Sequence, residues 1–200
     1  MIKRLGMFAA ALLSLVGVEA GAQYSVEAVP RYERPTPDVE APSPLTNVLA
    51  RDVVTLDGDW SYLVDPMRAA LRKPTYRRDF QNDRTPPKEE LIEYEWSSAP
   101  TLAVPGDWNT QDDKLFWYES VVWYNRKFTP ELKDGRRYLL YFEGANYWTK
   151  VFLNGEALGV HEGGFSPFAF DVTEAVQEGE NTLVVAVDSM HDETSVPSFY

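Results

Sequence analysis

Apolar residues recur at every second position in several short runs of the chain. In the run VVTLDGDWSYLVDP, Trp60, Tyr62 and Val64 alternate after an Asp-Gly turn signal, and a period of two residues predicts a β-strand. In the run SVVWYNRKFTP, residues 121–128 alternate in the same way, and one face is richer in apolar side chains than the other. This pattern predicts a half-buried antiparallel strand.

Further strands are predicted from the turn signals between residues 100 and 190. A short strand ends at the turn sequence VPGD, and three consecutive strands are expected over 137–143, 148–153 and 156–160. The Asn154-Gly155 pair predicts a type I′ hairpin, because that turn needs a positive φ at both central residues. The runs FSPFAFD and TLVVAVDS predict two more strands. Many short strands without a long helical period predict an all-β antiparallel sandwich or jelly roll.

Three segments do not follow this pattern. Residues 1–22 combine a basic start, an apolar run and the small-residue sequence Ala-Gly-Ala, which predicts a signal peptide cleaved near Ala22 and export to the periplasm or cell exterior. Residues 23–50 contain five prolines and predict an extended linker or arm. Residues 51–200 form the predicted domain, and the charged stretch at about 66–98 is expected to be a surface insertion.

The composition narrows the range of partners. The chain has 200 residues and a net charge of −12, so nucleic acids and anionic lipid surfaces would repel it. It contains no Cys, so stability must come from the core alone, and a zinc site with thiolate ligands is excluded. No segment of the mature chain is long and apolar enough to span a bilayer. The 6 Trp, 11 Tyr and 10 Phe suit both a sandwich core and the stacking of sugar rings.

The sequence offers few residues for catalysis. Glu119 and Glu143 flank predicted strands, but no spacing shows that they face each other as glycosidase carboxylates do. Arg126 alternates with aromatic residues and is expected to pair with a buried acid. A calcium site is conceivable, although solvated carboxylates are the more frequent case; its ligands would be Asp188, Asp192 and Glu193. From the residues alone, we expect no self-sufficient active site, no metal and no organic cofactor.

Five motifs follow one another in an order that resembles a known family. The sequences LDGDW, VPGDWN, VWYNRKF, LYFEGANYWTKVFLNGEALGVHEGGFSPFAFDVT and NTLVVAVDS resemble the N-terminal sugar-binding domain of glycoside hydrolase family 2. That family includes β-galactosidases, β-glucuronidases and β-mannosidases. The resemblance covers about residues 51–190 and implies a jelly-roll, galactose-binding-like sandwich.

The resemblance also implies a larger enzyme. Family members carry an immunoglobulin-like sandwich and a TIM barrel after this domain, and two barrel glutamates cleave β-glycosides with retention. None of these catalytic residues can be placed on the 200 residues, so we expect a non-catalytic domain that is inactive alone. The expected partners are carbohydrate and those two further domains, with homo-oligomerisation also possible.

Candidate sugar contacts come from aromatic residues near strand ends and from the glycine-rich corner HEGGFSPF. In that corner, Gly163 and Gly164 are expected to let the chain cross between sheets, while Phe165 and Phe168 close the end of the sandwich. The candidate substrate-binding residues are Trp117, Tyr118, Tyr147, Trp148, His161 and Phe165. Two alternatives to the enzyme domain remain: a stand-alone carbohydrate-binding module with these aromatics exposed, and a structural or adhesive sandwich with them buried.

Overall fold

Eight antiparallel strands form the domain in the computed structural model, which describes residues 47–72 and 96–190. The predicted signal peptide, most of the proline-rich arm and the interior of the predicted insertion lie outside the described residues. The strands are β1 Gly58–Asp65, β2 Thr101–Val104, β3 Val121–Phe128, β4 Leu139–Phe142, β5 Trp148–Leu153, β6 Glu156–Glu162, β7 Phe168–Asp171 and β8 Asn181–Asp188. The helical elements are α1 Ala69–Arg72, α2 Trp108–Gln111, and 3-10 turns at Val48–Ala50, Trp96–Ser98 and Asp113–Leu115.

The strands form a six-stranded sheet and a two-stranded sheet. The larger sheet has the order β2-β1-β3-β8-β5-β6, and the smaller one pairs β4 with β7. Every pairing is antiparallel. The predicted all-β antiparallel sandwich is therefore confirmed.

The main core lies between the two sheets. Alternate residues of the large sheet, such as Tyr62, Tyr124 and Val185, join Phe168 and Phe170 of β7 in one buried cluster. The rings of Phe168 and Phe170 meet edge to face, with centroids 5.8 Å apart. This geometry is a favoured one for aromatic pairs, because the positive ring edge meets the negative ring face.

The opposite face of the large sheet is buried as well, which corrects the prediction for β3. β3 is not half-buried: Val121 and Trp123 on its second face are both 0% exposed. They are covered by Ala70, Leu71 and Trp96, which come from the two ends of the predicted surface insertion. A strand that is covered on both faces needs apolar side chains on both. The alternation of apolar and polar residues in β3 is therefore weak.

The Asn154-Gly155 hairpin forms as predicted. Asn154 has φ 52° and Gly155 has φ 84°, and β5 pairs directly with β6 on either side of them. The Asn154 side chain does more than turn the chain. Its Nδ2 donates to the Ala175 carbonyl at 3.1 Å and to Asn181 Oδ1 at 2.9 Å, and its Oδ1 accepts from the Thr182 amide at 3.0 Å.

The glycine-rich corner carries the chain from β6 in the large sheet to β7 in the small one, as predicted. Gly163 has φ 126°, a conformation that side chains rarely tolerate. Gly164 is needed for a different reason, because a Cβ there would lie 2.6 Å from Asn146 Oδ1. Phe168 closes the core and is 3% exposed, but Phe165 is 82% exposed. The prediction that Phe165 also closes the sandwich is wrong.

Candidate binding surface at one end of the sandwich

The strand register brings several loops to one end of the large sheet. Val121 pairs with both Asp65 and Asp188, Asp188 pairs with Trp148, and Trp148 pairs with Glu162. We call this edge, defined by these five residues, the aromatic end. The loops before β3 and β5 and those after β1, β6 and β8 all meet there.

All six predicted sugar-contact residues lie at the aromatic end, but their exposure divides them. Trp117 is 88% exposed and Phe165 is 82% exposed. Tyr118 and His161 are half-buried. Tyr147 and Trp148 are only 6% and 4% exposed, so their ring faces cannot stack on a sugar. Trp148 is covered because β5 enters the double-sided core at this point.

Trp117 lies on a loop that is tied down on both sides. Asp107 caps α2 by accepting from the amides of Asn109 at 2.9 Å and Thr110 at 3.2 Å, as N-cap carboxylates do. The Asn109 side chain then donates to the carbonyl of Leu115 at 2.6 Å. Because the loop is anchored in this way, Trp117 is held outward, with the Phe116 ring perpendicular to it at 4.8 Å.

Tyr118 serves as an anchor for the same loop. Its hydroxyl donates to the Val121 carbonyl at 2.7 Å, and Trp108 Nε1 donates to the Tyr118 carbonyl at 3.2 Å. Burial raises the pKa of the Tyr118 hydroxyl well above its usual range. Tyr118 therefore remains protonated at any ordinary pH and acts as a hydrogen-bond donor to the backbone.

A second tie fixes the loop to β1 on its other side. The Tyr62 hydroxyl donates to Asp112 Oδ2 at 2.7 Å. Burial, followed by the hydrogen bond to this carboxylate, raises the pKa of Tyr62 to about 12. The same hydrogen bond is the main cause of the lowered pKa of Asp112. The loop thus rests on the core through a neutral tyrosine and an ionised aspartate.

His161 orders the glycine-rich corner rather than facing a ligand. Its ring stacks on Phe168 with centroids 4.1 Å apart and planes 12° apart. Its Nε2 lies 3.1 Å from Ser166 Oγ, within the loop that carries Phe165. Burial lowers the pKa of His161, so the neutral ring is favoured at neutral pH. This position fits a structural role in holding the loop.

The buried charged residues at this end are bonded within the fold. Arg68 pairs with the fully buried Asp188 at 3.1 Å. Asp65, also fully buried, accepts from the amides of Ala69 at 2.8 Å and Ala70 at 3.0 Å. Asp188 is thus one half of a buried ion pair, and it is neither solvated nor open to a calcium ion as the two alternatives for this residue required. The other two candidate ligands of that site, Asp192 and Glu193, lie outside the described residues.

The described residues show no pair of carboxylates that face each other across a pocket. Glu119 and Glu143 are both exposed, whereas a glycosidase pair faces across a pocket. Arg126 does not pair with an acid as predicted; it donates to the Asp59 carbonyl at 2.7 Å. Within residues 47–72 and 96–190, no three His, Asp or Glu side chains are grouped as metal ligands would be.

A cleft of about 350 Å³ lies at the end of the small sheet where Leu139 pairs with Asp171. Arg137 and Asp171 form an ion pair in it. Asp171 Oδ1 also accepts from the Thr173 hydroxyl at 2.6 Å and from the Thr173 amide at 3.1 Å. The hydrogen bonds from the Thr173 hydroxyl, then from Arg137 and then from the Thr173 amide lower the pKa of Asp171 to about 2. The polar groups here satisfy one another, and no aromatic face is offered for stacking.

None of the helices in the described part of the chain has the length and apolar character needed to cross a membrane.

A sandwich of this topology, with its loops gathered at one end, is of the galactose-binding-like class. Residues 105–196 match the family model described as glycosyl hydrolase 2 galactose-binding domain-like. The chain is 32% identical over 146 residues to a β-galactosidase of Thermoanaerobacter pseudethanolicus, a match that covers 70% of this chain and 17% of the relative. It is 31% identical over 147 residues to the β-glucuronidase of Rattus norvegicus, covering 66% of this chain and 20% of the relative.

Solved structures give the same result. A β-glucuronidase of Bifidobacterium dentium has 34% identity and a TM-score of 0.53, and the match covers 70% of this chain and 20% of that one. A β-glucuronidase of an uncultured Clostridium species has 31% identity and a TM-score of 0.57, with coverage of 71% and 23%. The domain belongs to the galactose-binding-like N-terminal domains of glycoside hydrolase family 2, which confirms the resemblance. The chain spans only about a fifth of the length of these relatives.

The sequence did not single out Phe116, Met67 or Met190 at the aromatic end. Phe116 is 54% exposed and the two methionines are 75% and 41% exposed. Met67 follows β1, Phe116 precedes β3 next to Trp117, and Met190 follows β8. Only the register of the sheet shows that they share one surface, so no local sequence signal could have identified them.

Proposed function

We propose that the chain is the N-terminal, non-catalytic domain of an exported retaining β-glycosidase of the β-galactosidase or β-glucuronidase type. In this role the sandwich supports a catalytic barrel that hydrolyses O-glycosyl bonds in carbohydrate. The barrel's two carboxylates supply acid/base and nucleophilic catalysis. The predicted signal peptide in residues 1–22 supports export.

The observation that carries this proposal is the match between one domain and the start of much longer enzymes. The relatives are β-galactosidases and β-glucuronidases, and the chain covers only 17–23% of those compared above. The described domain offers no facing pair of carboxylates, as noted for Glu119 and Glu143. Catalysis by a neighbouring domain accounts for both facts.

The experiment compares two products of the gene. One is the 200-residue chain, and the other is the reading frame as it continues downstream. Both are assayed with chromogenic β-glucuronides and β-galactosides. We expect hydrolysis by the longer product alone. Turnover by the 200-residue chain above a catalyst-free blank would contradict the proposal, as would a reading frame that stops at residue 200.

The second candidate function is a stand-alone carbohydrate-binding module, and the exposure of Trp117 favours it. An indole ring that is 88% exposed can stack on the apolar face of a sugar. Isothermal titration of the 200-residue chain with glucuronides and galactosides tests this function. Saturable heat that Trp117→Ala abolishes would support the module, and no heat at millimolar ligand would exclude it.

A further inference from the structure

The hairpin between β5 and β6 carries a sequence that is open to a spontaneous chemical change. Asn154 is the only asparagine of the chain that precedes a glycine. In a flexible chain, the backbone nitrogen of the residue after an asparagine can attack the side-chain amide carbon. Glycine permits this attack most readily, because it has no Cβ to obstruct the approach. The Asn154 side chain is therefore a candidate site of modification.

The reaction is a deamidation that consumes water and needs no other co-reactant. The Gly155 nitrogen forms a bond to Cγ of Asn154, and its proton passes to the side-chain nitrogen, which leaves as ammonia. Water then opens the resulting succinimide ring at either of its two carbonyl carbons. One opening gives aspartate, and the other gives isoaspartate, in which the main chain runs through the side-chain carbons.

The folded hairpin holds the Asn154 amide against this reaction. Its Nδ2 donates to the Ala175 carbonyl at 3.1 Å and to Asn181 Oδ1 at 2.9 Å. Its Oδ1 accepts from the Thr182 amide at 3.0 Å, and the Asn154 backbone amide donates to the Thr182 carbonyl at 2.9 Å. Ring closure makes Cγ tetrahedral and expels Nδ2, so it must break bonds that the fold makes to this planar amide.

The neighbours of Asn154 accept an amide and oppose a carboxylate. Asn181 is fully buried, and its Nδ2 donates to the carbonyls of Gln177 at 2.8 Å and Gly179 at 3.1 Å. Its Oδ1 accepts from the Gln177 amide at 2.9 Å, so this oxygen is fixed as the group that faces position 154. The Ala175 carbonyl is a second acceptor. A carboxylate has no proton to donate to either of them, and both bonds to Nδ2 would be lost.

The isoaspartate product would disturb the sheet as well. β5 is an interior strand that lies between β6 and β8, and Leu153 pairs with Glu156 directly across the two-residue turn. An additional main-chain carbon in the turn changes this register, while Leu153 is fixed in the core at 0% exposure. Either product therefore fits the closed hairpin less well than Asn154 does.

We propose that Asn154 is a deamidation site whose rate is set by the opening of the fold. The closed hairpin suppresses the reaction, which proceeds when local or global unfolding releases the side chain. The rate then follows the population of the open state. Because the products fit the closed hairpin poorly, conversion favours further opening and permanently marks chains that have opened. The reaction needs only the sandwich, so it does not depend on the hydrolysis proposed above.

Peptide mapping by mass spectrometry tests the proposal on the 200-residue chain. Samples are kept at mildly alkaline pH with and without denaturing guanidinium chloride, and conversion at position 154 is followed over time. We expect conversion to be roughly tenfold or more faster in the denaturant. Asn47 is the internal control, because it is exposed and precedes a valine, whose branched side chain obstructs the attack. It should react slowly in both samples.

Gly155→Ala separates the chemistry from the fold. In the denaturant, the strain of alanine at a φ of 84° has no effect, and we expect deamidation several-fold slower than in the unfolded wild type. An equal rate in this variant would show that the Gly155 nitrogen is not the attacking group. Equal conversion of the native and unfolded wild type, or no conversion in the unfolded chain, would also overturn the proposal.

Asn154→Asp supplies the aspartate product directly and tests its fit. We expect a lower melting temperature than that of the wild type at neutral pH, whereas Asn47→Asp, the same change at an exposed residue, should have little effect. The site disfavours the charged form, so the folded pKa of the new carboxyl group should lie above its unfolded value. The deficit should therefore narrow as the pH falls through that pKa, because a protonated acid can donate to Asn181 Oδ1. An unchanged melting temperature, or a deficit that is constant in acid, would refute the exclusion of the carboxylate.

Discussion

Single residues in this sandwich join elements that are distant in sequence. Asn154 adopts the left-handed conformation of its hairpin and also bridges the chain at Ala175, Asn181 and Thr182 through three hydrogen bonds. Asp171 ends β7 and is held by both Thr173 and Arg137. In each case one side chain performs a local and a tertiary task, and substitutions can separate the two.

The two tasks of Asn154 should be separable by comparing Asn154→Gly with Asn154→Val. Glycine keeps the positive φ but loses the side-chain hydrogen bonds, each worth about 0.5–1.5 kcal/mol. Valine loses the same bonds and adds a left-handed strain of roughly 1–2 kcal/mol. Urea unfolding should therefore rank the wild type above Asn154→Gly and Asn154→Gly above Asn154→Val. Equal stabilities of the two variants would show that the backbone conformation costs nothing there.

Asp171 should contribute to the loss of stability in acid. Its folded pKa of about 2 lies below the ordinary value of 3.8, so the ionised carboxylate stabilises the fold above that value. This contribution is lost as the pH falls from 3.8 through about 2. An NMR titration should show the low pKa directly. Thr173→Val should raise it more than Arg137→Gln does, because the Thr173 hydroxyl is the larger cause; the reverse order would contradict this assignment.

At the scale of elements, the large sheet is a middle layer covered on both faces. Its inner face packs on β4 and β7, and its outer face packs on α1 and on the 3-10 turn at Trp96. The carboxylate of Asp65 caps α1 and so fixes this cover to the end of β1. Short charged segments can therefore contribute to a core when a few apolar residues at their ends meet an uncovered sheet.

The outer cover should prove necessary for stability. Leu71→Ala removes a side chain that is 3% exposed, and we expect a cost of about 2–5 kcal/mol in the free energy of unfolding. Met67→Ala is the control in the same segment, because Met67 is 75% exposed and should change stability by less than about 0.5 kcal/mol in the 200-residue chain. A similarly small effect of Leu71→Ala would show that the outer face is not a true core.

Across the whole chain, acidic residues outnumber basic ones, while the interior of the domain is apolar. The net charge is −12, while several ion pairs in the described residues are exposed, such as Lys127–Glu180 and Arg136–Asp52. Exposed pairs contribute little to stability. The summed repulsion among the acidic side chains is therefore expected to exceed the attraction within the exposed ion pairs.

Salt should stabilise the 200-residue chain for this reason. Raising the concentration of NaCl from about 0.01 M to 0.15 M shortens the screening length from about 30 Å to 8 Å. We expect the melting temperature to increase, with the same increase in KCl at equal ionic strength. Glu178→Lys, which lowers the excess of acids by exchanging an exposed residue, should reduce the increase. A melting temperature that falls with salt would show that attractive pairs dominate.

The local structure of this domain could be inferred from the amino-acid sequence alone. Period-two alternation and turn residues act over a few positions, so the strand positions, the Asn154-Gly155 hairpin and the crossing at Gly163 could be predicted. The ordered motifs also identified the family, because they record the strand sequence of this sandwich. β5 was predicted with its observed bounds, Trp148–Leu153.

The packing of the sheets and helices determines which side chains are covered, and the sequence pattern does not reveal it. Trp148 and Trp117 are alike in sequence terms, yet one is 4% and the other 88% exposed. The difference arises because α1 and Trp96 return to cover the second face of the sheet, whereas the loop before β3 projects beyond it. Met67 and Met190 lie at the same end of the large sheet because β1 and β8 both pair with β3, and local patterns carry no information about that pairing.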